Sequence, residues 1–262
     1  MLHYLRVLRV FVVTSVLAEM QYRANFGVQL LQTVVSFATT AAGLAIIFNN
    51  TKTLGGWTPA EMVMLLGVYY LMWGFINVVL QPSMQRFMDD VRLGTLDYVL
   101  TKPGDSQFLV SFRQVVAWRL TDVLMGVILI LGAGYALRGG IGPLQLAGFV
   151  LALATGAVIV YSFWLVLATL TFWVIKVDNL LVIFTSLYQA GKYPVGIYPP
   201  WLRAILTFLV PVAFATTIPA EALSARLTLV GMAGALGLAA ALFAVSRLFW
   251  LYGVRSYTGA SA

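Results

Sequence analysis

Cysteine is missing from this 262-residue chain, and histidine occurs once, as His3. Disulfide frameworks, thiolate nucleophiles and zinc centres of the Cys/His kind are thereby excluded. Charge is scarce as well: 10% of the residues are Asp, Glu, Lys or Arg while 61% are hydrophobic, against about a quarter charged in an ordinary soluble domain. That balance excludes a water-soluble fold. Short segments alternating between polar and apolar residues, which a transmembrane barrel with a polar lumen needs, are also lacking. What is present instead is a series of long apolar runs. An α-helix rising 1.5 Å per residue needs about 20 such residues to cross the hydrocarbon core.

The net charge of +7 does not point to nucleic acid, because the basic residues stand singly at the ends of apolar runs. They read as topology anchors. At the start of the chain Arg6 and Arg9 share one helical face, with Leu5, Leu8 and Val12 on a neighbouring one. Residues 1–22 are therefore expected to form an amphipathic helix in the headgroup region. A cleaved signal peptide is the alternative, disfavoured by Glu19, Arg23 and the lack of a small-x-small cleavage site.

The pattern predicts an all-α integral membrane protein of one domain, residues 1–262, with six transmembrane helices. The first spans are expected at residues 25–48, 59–88, 118–137 and 146–175, separated by Gly55-Gly56, a polar segment at 89–105 and Gly139-Gly140. A short fifth span is expected at 180–189 and the last at 227–251. Residues 193–223 hold five of the nine prolines, and Pro211 divides their apolar part. Irregular backbone at membrane depth survives only against protein or a water-filled cavity, so this stretch is expected to be a re-entrant helical hairpin on the outer side. With both termini inside, eleven of the sixteen Lys and Arg residues fall on the cytoplasmic side, as the positive-inside rule asks. Most of the seven tryptophans fall near expected span ends, where interfacial anchoring suffices to explain them.

The polar segment carries Gly94-Thr95-Leu96-Asp97-Tyr98-Val99-Leu100-Thr101-Lys102-Pro103. It is expected to be a short cytoplasmic helix, with Gly94 at a turn, Thr95 capping, Asp97 favoured by the helix dipole and Pro103 ending it. Leu96, Val99 and Leu100 then form an apolar ridge outside the membrane. Either a partner's groove receives that ridge, or it packs on the protein's own helix ends.

This stretch resembles the coupling-helix loop of ABC-2-type permeases, the membrane-spanning subunits of many bacterial exporters. The proline-rich Tyr193-Pro194 to Pro199, Pro211-Val212-Ala213-Phe214 and Pro219-Ala220-Glu221-Ala222-Leu223 resemble the outer segment of one branch of that family, and the end from Trp250 to Ala260 resembles its C-terminus. The resemblance implies residence in the bacterial plasma (inner) membrane, a second permease as an identical or related chain, and two copies of an ATP-binding cassette subunit. Those subunits would bind ATP and Mg, since this chain holds no Gly-x-x-x-x-Gly-Lys-Ser/Thr and is not itself an ATPase. Gly94, Thr95, Leu96, Asp97, Val99, Leu100 and Pro103 are then the candidate coupling residues.

Two polar stripes are candidates for a path or for interface glue. Asn25, Gln29, Gln32, Ser36 and Thr39 recur at helical spacing in the first span, and Tyr70, Trp73, Asn77 and Gln81 in the second. Pro211, Pro219 and Glu221 are the candidate outer gate. Arg119 and Asp122 stand three apart and are expected to pair on one face, which lowers the cost of charge near the membrane. The leading functional expectation is an exporter of a lipid-like, glycan, drug or peptide substrate. The alternatives are a secondary transporter, for which inverted repeats are lacking, and a membrane anchor or sensor for an ATPase. No nucleophile with a base is placed for a membrane enzyme, and no metal site is expected.

Overall fold

A computed structural model describes residues 10–11, 13–15, 17, 23–137, 141–174 and 178–257. Helices make up nearly all of it, and the only β-type pairing among the described residues is one bridge between Leu54 and Trp57. The helices are α1 (Arg23–Asn50), α2 (Pro59–Phe75), α3 (Gln81–Arg92), α4 (Asp97–Leu100), α5 (Ser106–Ser111), α6 (Leu120–Ala136), α7 (Pro143–Thr169), α8 (Asp178–Tyr188), α9 (Pro200–Ala204), α10 (Ile218–Leu223) and α11 (Leu229–Ser256). A π-helical segment, Ile76–Leu80, joins α2 to α3 in one 34-residue rod. The expected N-terminal pattern of Arg6, Arg9, Leu5, Leu8 and Val12 lies outside the described residues.

Five helices are long and apolar enough to cross a membrane, and a bent pair makes a sixth candidate. That pair is Pro200–Leu209 with Ala213–Leu223, turned by 77°. The expected short span at 180–189 is present as a helix but does not cross by itself. It is the 11-residue α8 followed by a 3-10 turn, Gln189–Lys192, too short to cross alone.

The rod from Pro59 to Arg92 is the hub, with 72% of its most apolar window buried, whereas α1 and α11 bury only 11% and 17% of theirs. The outer helices thus present apolar side chains such as Leu31, Val35, Leu248 and Leu251 to their surroundings. In lipid, no hydrophobic force pulls helices together, so the hub relies on close backbone approach. Gly67 and Gly74 of α2 face Gly126 and Val123 of α6, and a Cβ at Gly126 would lie 2.6 Å from both the Gly67 carbonyl oxygen and the Leu71 nitrogen. Pro82 contributes a second join. It has no N–H to give to the Val78 carbonyl, and that oxygen accepts the Val116 N–H at 2.9 Å, docking the 3-10 turn Ala117–Arg119 at the foot of α6.

The two ends of the bundle differ. At one end Thr58 and Glu61 form a capping box on α2, and Arg226 reaches from beyond α10 to donate to Glu61 at 2.9 and 2.8 Å and to the Gly56 carbonyl at 2.8 Å. Ile197 lies against Gly55 at this same end, and the Arg226 N–H bonds the Glu221 carbonyl. The bent pair therefore begins and finishes beside the start of α2, while its turn reaches Gly156, halfway along α7, whose Cα meets the Phe214 carbonyl. Pro211 sits buried at the turn and Pro219 is buried on the returning arm; Glu221 is half-buried.

The opposite end gathers Asp90, Arg113, Asp105 and Arg247. Ser15 accepts the Val115 N–H there, so the described part of the N-terminal stretch and the end of α11 lie on one side.

Candidate functional site

The polar segment at this charged end is organised by Asp90, which is 2% exposed. Its carboxylate pairs with Arg113 and with Arg86 and accepts the Thr95 hydroxyl at 3.0 Å, while its carbonyl accepts the Thr95 and Leu96 N–H groups. Gly94 has φ +68°, a left-handed turn that glycine adopts without strain, so the chain leaves α3 and folds straight back. Thr95 is thereby corrected: it ties the loop to α3 and does not cap α4, whose N-cap is Leu96 with no side-chain bond. Asp97 stands in the first turn of α4 as expected, and Pro103 is exposed three residues past its end.

Of the two readings of the ridge, packing on the protein's own helices is the one observed. Leu96 is 0% and Val99 3% exposed, and both belong to the main core, with half-buried Leu100 packed beside them. They pin α4 onto the bundle. The apolar surface turned outward is Leu93 and Tyr98, 71% and 75% exposed, flanked by Thr101, Lys102 and Pro103. Residues 93 and 98 escape a helical-spacing argument because the Gly94 turn separates them.

Beyond α4, Asp105 caps α5 through the Phe108 N–H at 3.0 Å and clamps Arg247 of α11 at 2.5 and 3.1 Å. Arg247 also donates to Gln107, whose amide meets Tyr161 of α7, as does Ser111. Burial raises the Asp105 carboxyl, but the Arg247 guanidinium and the Phe108 and Gln107 amides outweigh it and hold the group below its ordinary value. A depressed native value makes the clamp's contribution complete above the unfolded value, about 3.9, and lost as pH falls through the native one. With both partners about a third exposed, that contribution is at most about 1 kcal/mol. Melting of the wild type and Arg247→Gln in detergent is expected to differ by a constant amount above pH 5 and to converge as pH drops below 4.

The second candidate site is a polar cavity of about 150 Å³ between α1, α2 and α6. From α1 come Gln29, Gln32, Thr33 and Ser36; from α2 come Tyr69, Tyr70 and Trp73; Arg119 and Asp122 close it from the foot of α6. The structure thus brings five of the nine expected stripe residues together, and leaves the others out. Thr39 faces outward, its hydroxyl spent on the Val35 carbonyl, and Asn25 lies in the first turn of α1 with its side chain outside the described atoms. Asn77 is buried and donates to the Trp73 carbonyl at 2.7 Å. Gln81 is half-buried away from the cavity, because the π segment inserts extra backbone per turn and rotates the face beyond it.

Thr33 and Thr40, 3% and 9% exposed, were not expected; they lie on the inward face of α1 with Gln29 and Leu44. Both threonines continue an i, i+3, i+4 series from Gln29, which competes with the series through Gln32 and Thr39. Thr33 donates to Asp122 Oδ1 at 2.7 Å, and Tyr70 donates to Ser36 at 3.3 Å. Arg119 and Asp122 share the cavity and act on each other electrostatically, but the expected direct ion pair is not formed: Asp122 is 2% exposed, and its Oδ2 has no hydrogen-bond partner among the described residues. Among the described residues no group of carboxylates and histidines is arranged to hold a metal.

Comparison with curated proteins and with solved structures gave no match. The family described as ABC-2 family transporter protein matches residues 34–261, which include both candidate sites except the first residues of α1. With five to six helices long and apolar enough to cross a membrane, a polar segment after the second, and a match over most of its length, the chain belongs to the ABC-2 family of transporter proteins and is a membrane permease of that kind.

Proposed function

We propose that the chain is the transport half of an ATP-driven exporter in the bacterial plasma membrane, with the charged end and both termini in the cytoplasm. A separate ATP-binding cassette subunit, carrying ATP and Mg, docks there, and a second permease completes the pathway. The weakly buried faces of α1 and α11 support a partner permease or lipid against them. Residues 193–223 are read as a re-entrant outer gate hinged at Pro211, with Pro219 and Glu221 on its returning arm and the Glu61–Arg226 clamp holding it shut. The substrate is taken as lipid-like, glycan, drug or peptide, moved along the stripe that includes Gln29, Gln32, Ser36, Tyr70 and Trp73.

The observation that carries this reading is the build of α4. Its buried Leu96 and Val99 make it rigid, while Leu93 and Tyr98 project from a segment that has left the apolar zone. A surface helix held stiffly, with an aromatic at its apex, transmits a push in either direction. Aromatic residues at the centre of an interface commonly contribute about 2 kcal/mol, roughly thirtyfold in affinity. Tyr98→Asp with Leu93→Asp is expected to abolish stimulation of the co-purified ATP-binding subunit while leaving the permease's melting unchanged. Full stimulation in that double variant would remove the docking assignment.

A further inference from the structure

The cavity between α1, α2 and α6 holds a carboxyl group, Asp122, and a guanidinium, Arg119, that act on each other electrostatically without forming a direct ion pair. Asp122 keeps one carboxylate oxygen on the Thr33 hydroxyl, while the other, Oδ2, has no hydrogen-bond partner among the described residues, although the residue is 2% exposed. Leaving such an oxygen without a partner costs free energy in any buried site. Arg119, on the same helical face and half-buried, lines the same cavity. Aromatic rings line another side of the cavity: Tyr69 and Trp73 stack at 6.2 Å between centroids, Tyr188 stacks on both at 5.2 Å, and Lys192 Nζ lies 5.6 Å over the Tyr69 ring. A cavity of about 150 Å³ is the size that takes a ring-sized group.

From this arrangement we propose that the cavity is a binding site for a zwitterionic headgroup, with an ammonium held by Asp122 and the aromatic wall and an anionic phosphate or carboxylate held by Arg119. A lone cation would meet the guanidinium, and a lone anion would meet the carboxylate. A group carrying both charges a few ångströms apart satisfies each, and the aromatic side chains exclude water around the ammonium. Oδ2 is closed to water in this arrangement, so the ligand engages it by a shift of the cavity lining, in which Gln32 is an exposed member. The rim opens beside Val28, Leu31 and Val35 of α1, all 54–64% exposed, which gives a headgroup's alkyl chain an apolar surface to lie on. This inference rests on the transport reading for its role in a pathway, but not for binding itself.

The test is made on the full chain in dodecyl maltoside, without any ATP-binding subunit. Dodecylphosphocholine, dodecyltrimethylammonium and dodecyl phosphate are titrated against intrinsic tryptophan fluorescence, with native mass spectrometry to count bound molecules. Dodecylphosphocholine is expected to bind at least tenfold more tightly than either singly charged amphiphile. Asp122→Asn and Arg119→Gln should each weaken it tenfold or more. Gln32→Leu, at an exposed position where folding is not at stake, should change its affinity several-fold.

Competition by glycerophosphocholine would make the headgroup alone sufficient, and its failure to compete would assign the site to the lipid form; either supports the site. Equal binding of all three amphiphiles, or phosphocholine affinity unchanged in both charge variants, overturns it. So does cation binding that depends on Asp122 and not on Arg119. Loss of phosphocholine binding in Asp122→Asn and Arg119→Gln, with transport and stimulation of the ATP-binding subunit left intact, would refute the transport reading's link to this cavity while leaving the site in place.

Discussion

Gly126→Leu is expected to cost about 3 kcal/mol or more and to prevent recovery of a monodisperse protein. At this position a Cβ would lie 2.6 Å from the Gly67 carbonyl oxygen and from the Leu71 nitrogen. Both are backbone atoms of α2, which is itself buried, so neither can swing aside. Overpacking a core typically costs about 1–3 kcal/mol when side chains can yield, and here only a separation of α2 from α6 relieves the clash. That separation also undoes the Val116–Val78 bond at the foot of α6 and spreads the polar cavity. Since whole domains are stable by only about 5–15 kcal/mol, the loss is a large share. Gly132→Leu on the same helix is the control, because a Cβ there meets nothing within 4 Å. Melting in detergent and size exclusion of the two variants are expected to separate sharply; similar behaviour would show that α2 and α6 tolerate a wider crossing.

Asp90→Ala carries the second large effect, and it falls on coupling more than on the membrane bundle. Removing the carboxylate strips Arg113 and Arg86 of their partner and Thr95 of its acceptor at once. Breaking a fully buried ion pair costs about 3–5 kcal/mol, but Arg113 and Arg86 are 28% and 53% exposed and recover solvation. About 2 kcal/mol is therefore expected, concentrated in residues 93–105. The segment should become cleavable by protease under conditions that leave the wild type intact, and stimulation of the ATP-binding subunit should fall with it. Asp90→Asn retains an acceptor for Thr95 and should lie between the two. A double-mutant cycle with Arg113→Ala isolates the pair's own contribution; additivity of the two single effects would show that Arg113 does not hold the loop.

Much of the membrane architecture was legible because the cost of burying charge in hydrocarbon is written residue by residue. The expected start of the rod at residue 59 agrees with the structure, since Pro59 at the first helical position and Glu61 closing a capping box are local signals. The α8 region was harder to read: its 11 residues run into a 3-10 turn that carries glycine and lysine, and length alone could not say whether it crosses. The polar stripe of α1 was legible as a stripe, but its orientation was not. Thr33 and Thr39 are equally polar, and only the position of Asp122 across the gap decides that Thr33 turns inward. The expectation that tryptophans stand at span ends for anchoring fails for Trp164 and Trp250, both 0% exposed, because a ring near a helix end packs inward wherever a neighbouring helix covers it.

Composition by itself determined that the chain lives in a membrane, about how many long apolar helices it has, and where its polar segment falls, because each follows from interactions within one helix or with the surrounding solvent. Tertiary structure alone decided that Leu96 and Val99 are pins while Leu93 and Tyr98 are exposed, that Gly67 meets Gly126, and that Glu61 is held by a residue 165 positions away. Those outcomes depend on which faces meet. Contact between distant segments leaves no periodic trace in the sequence of either one.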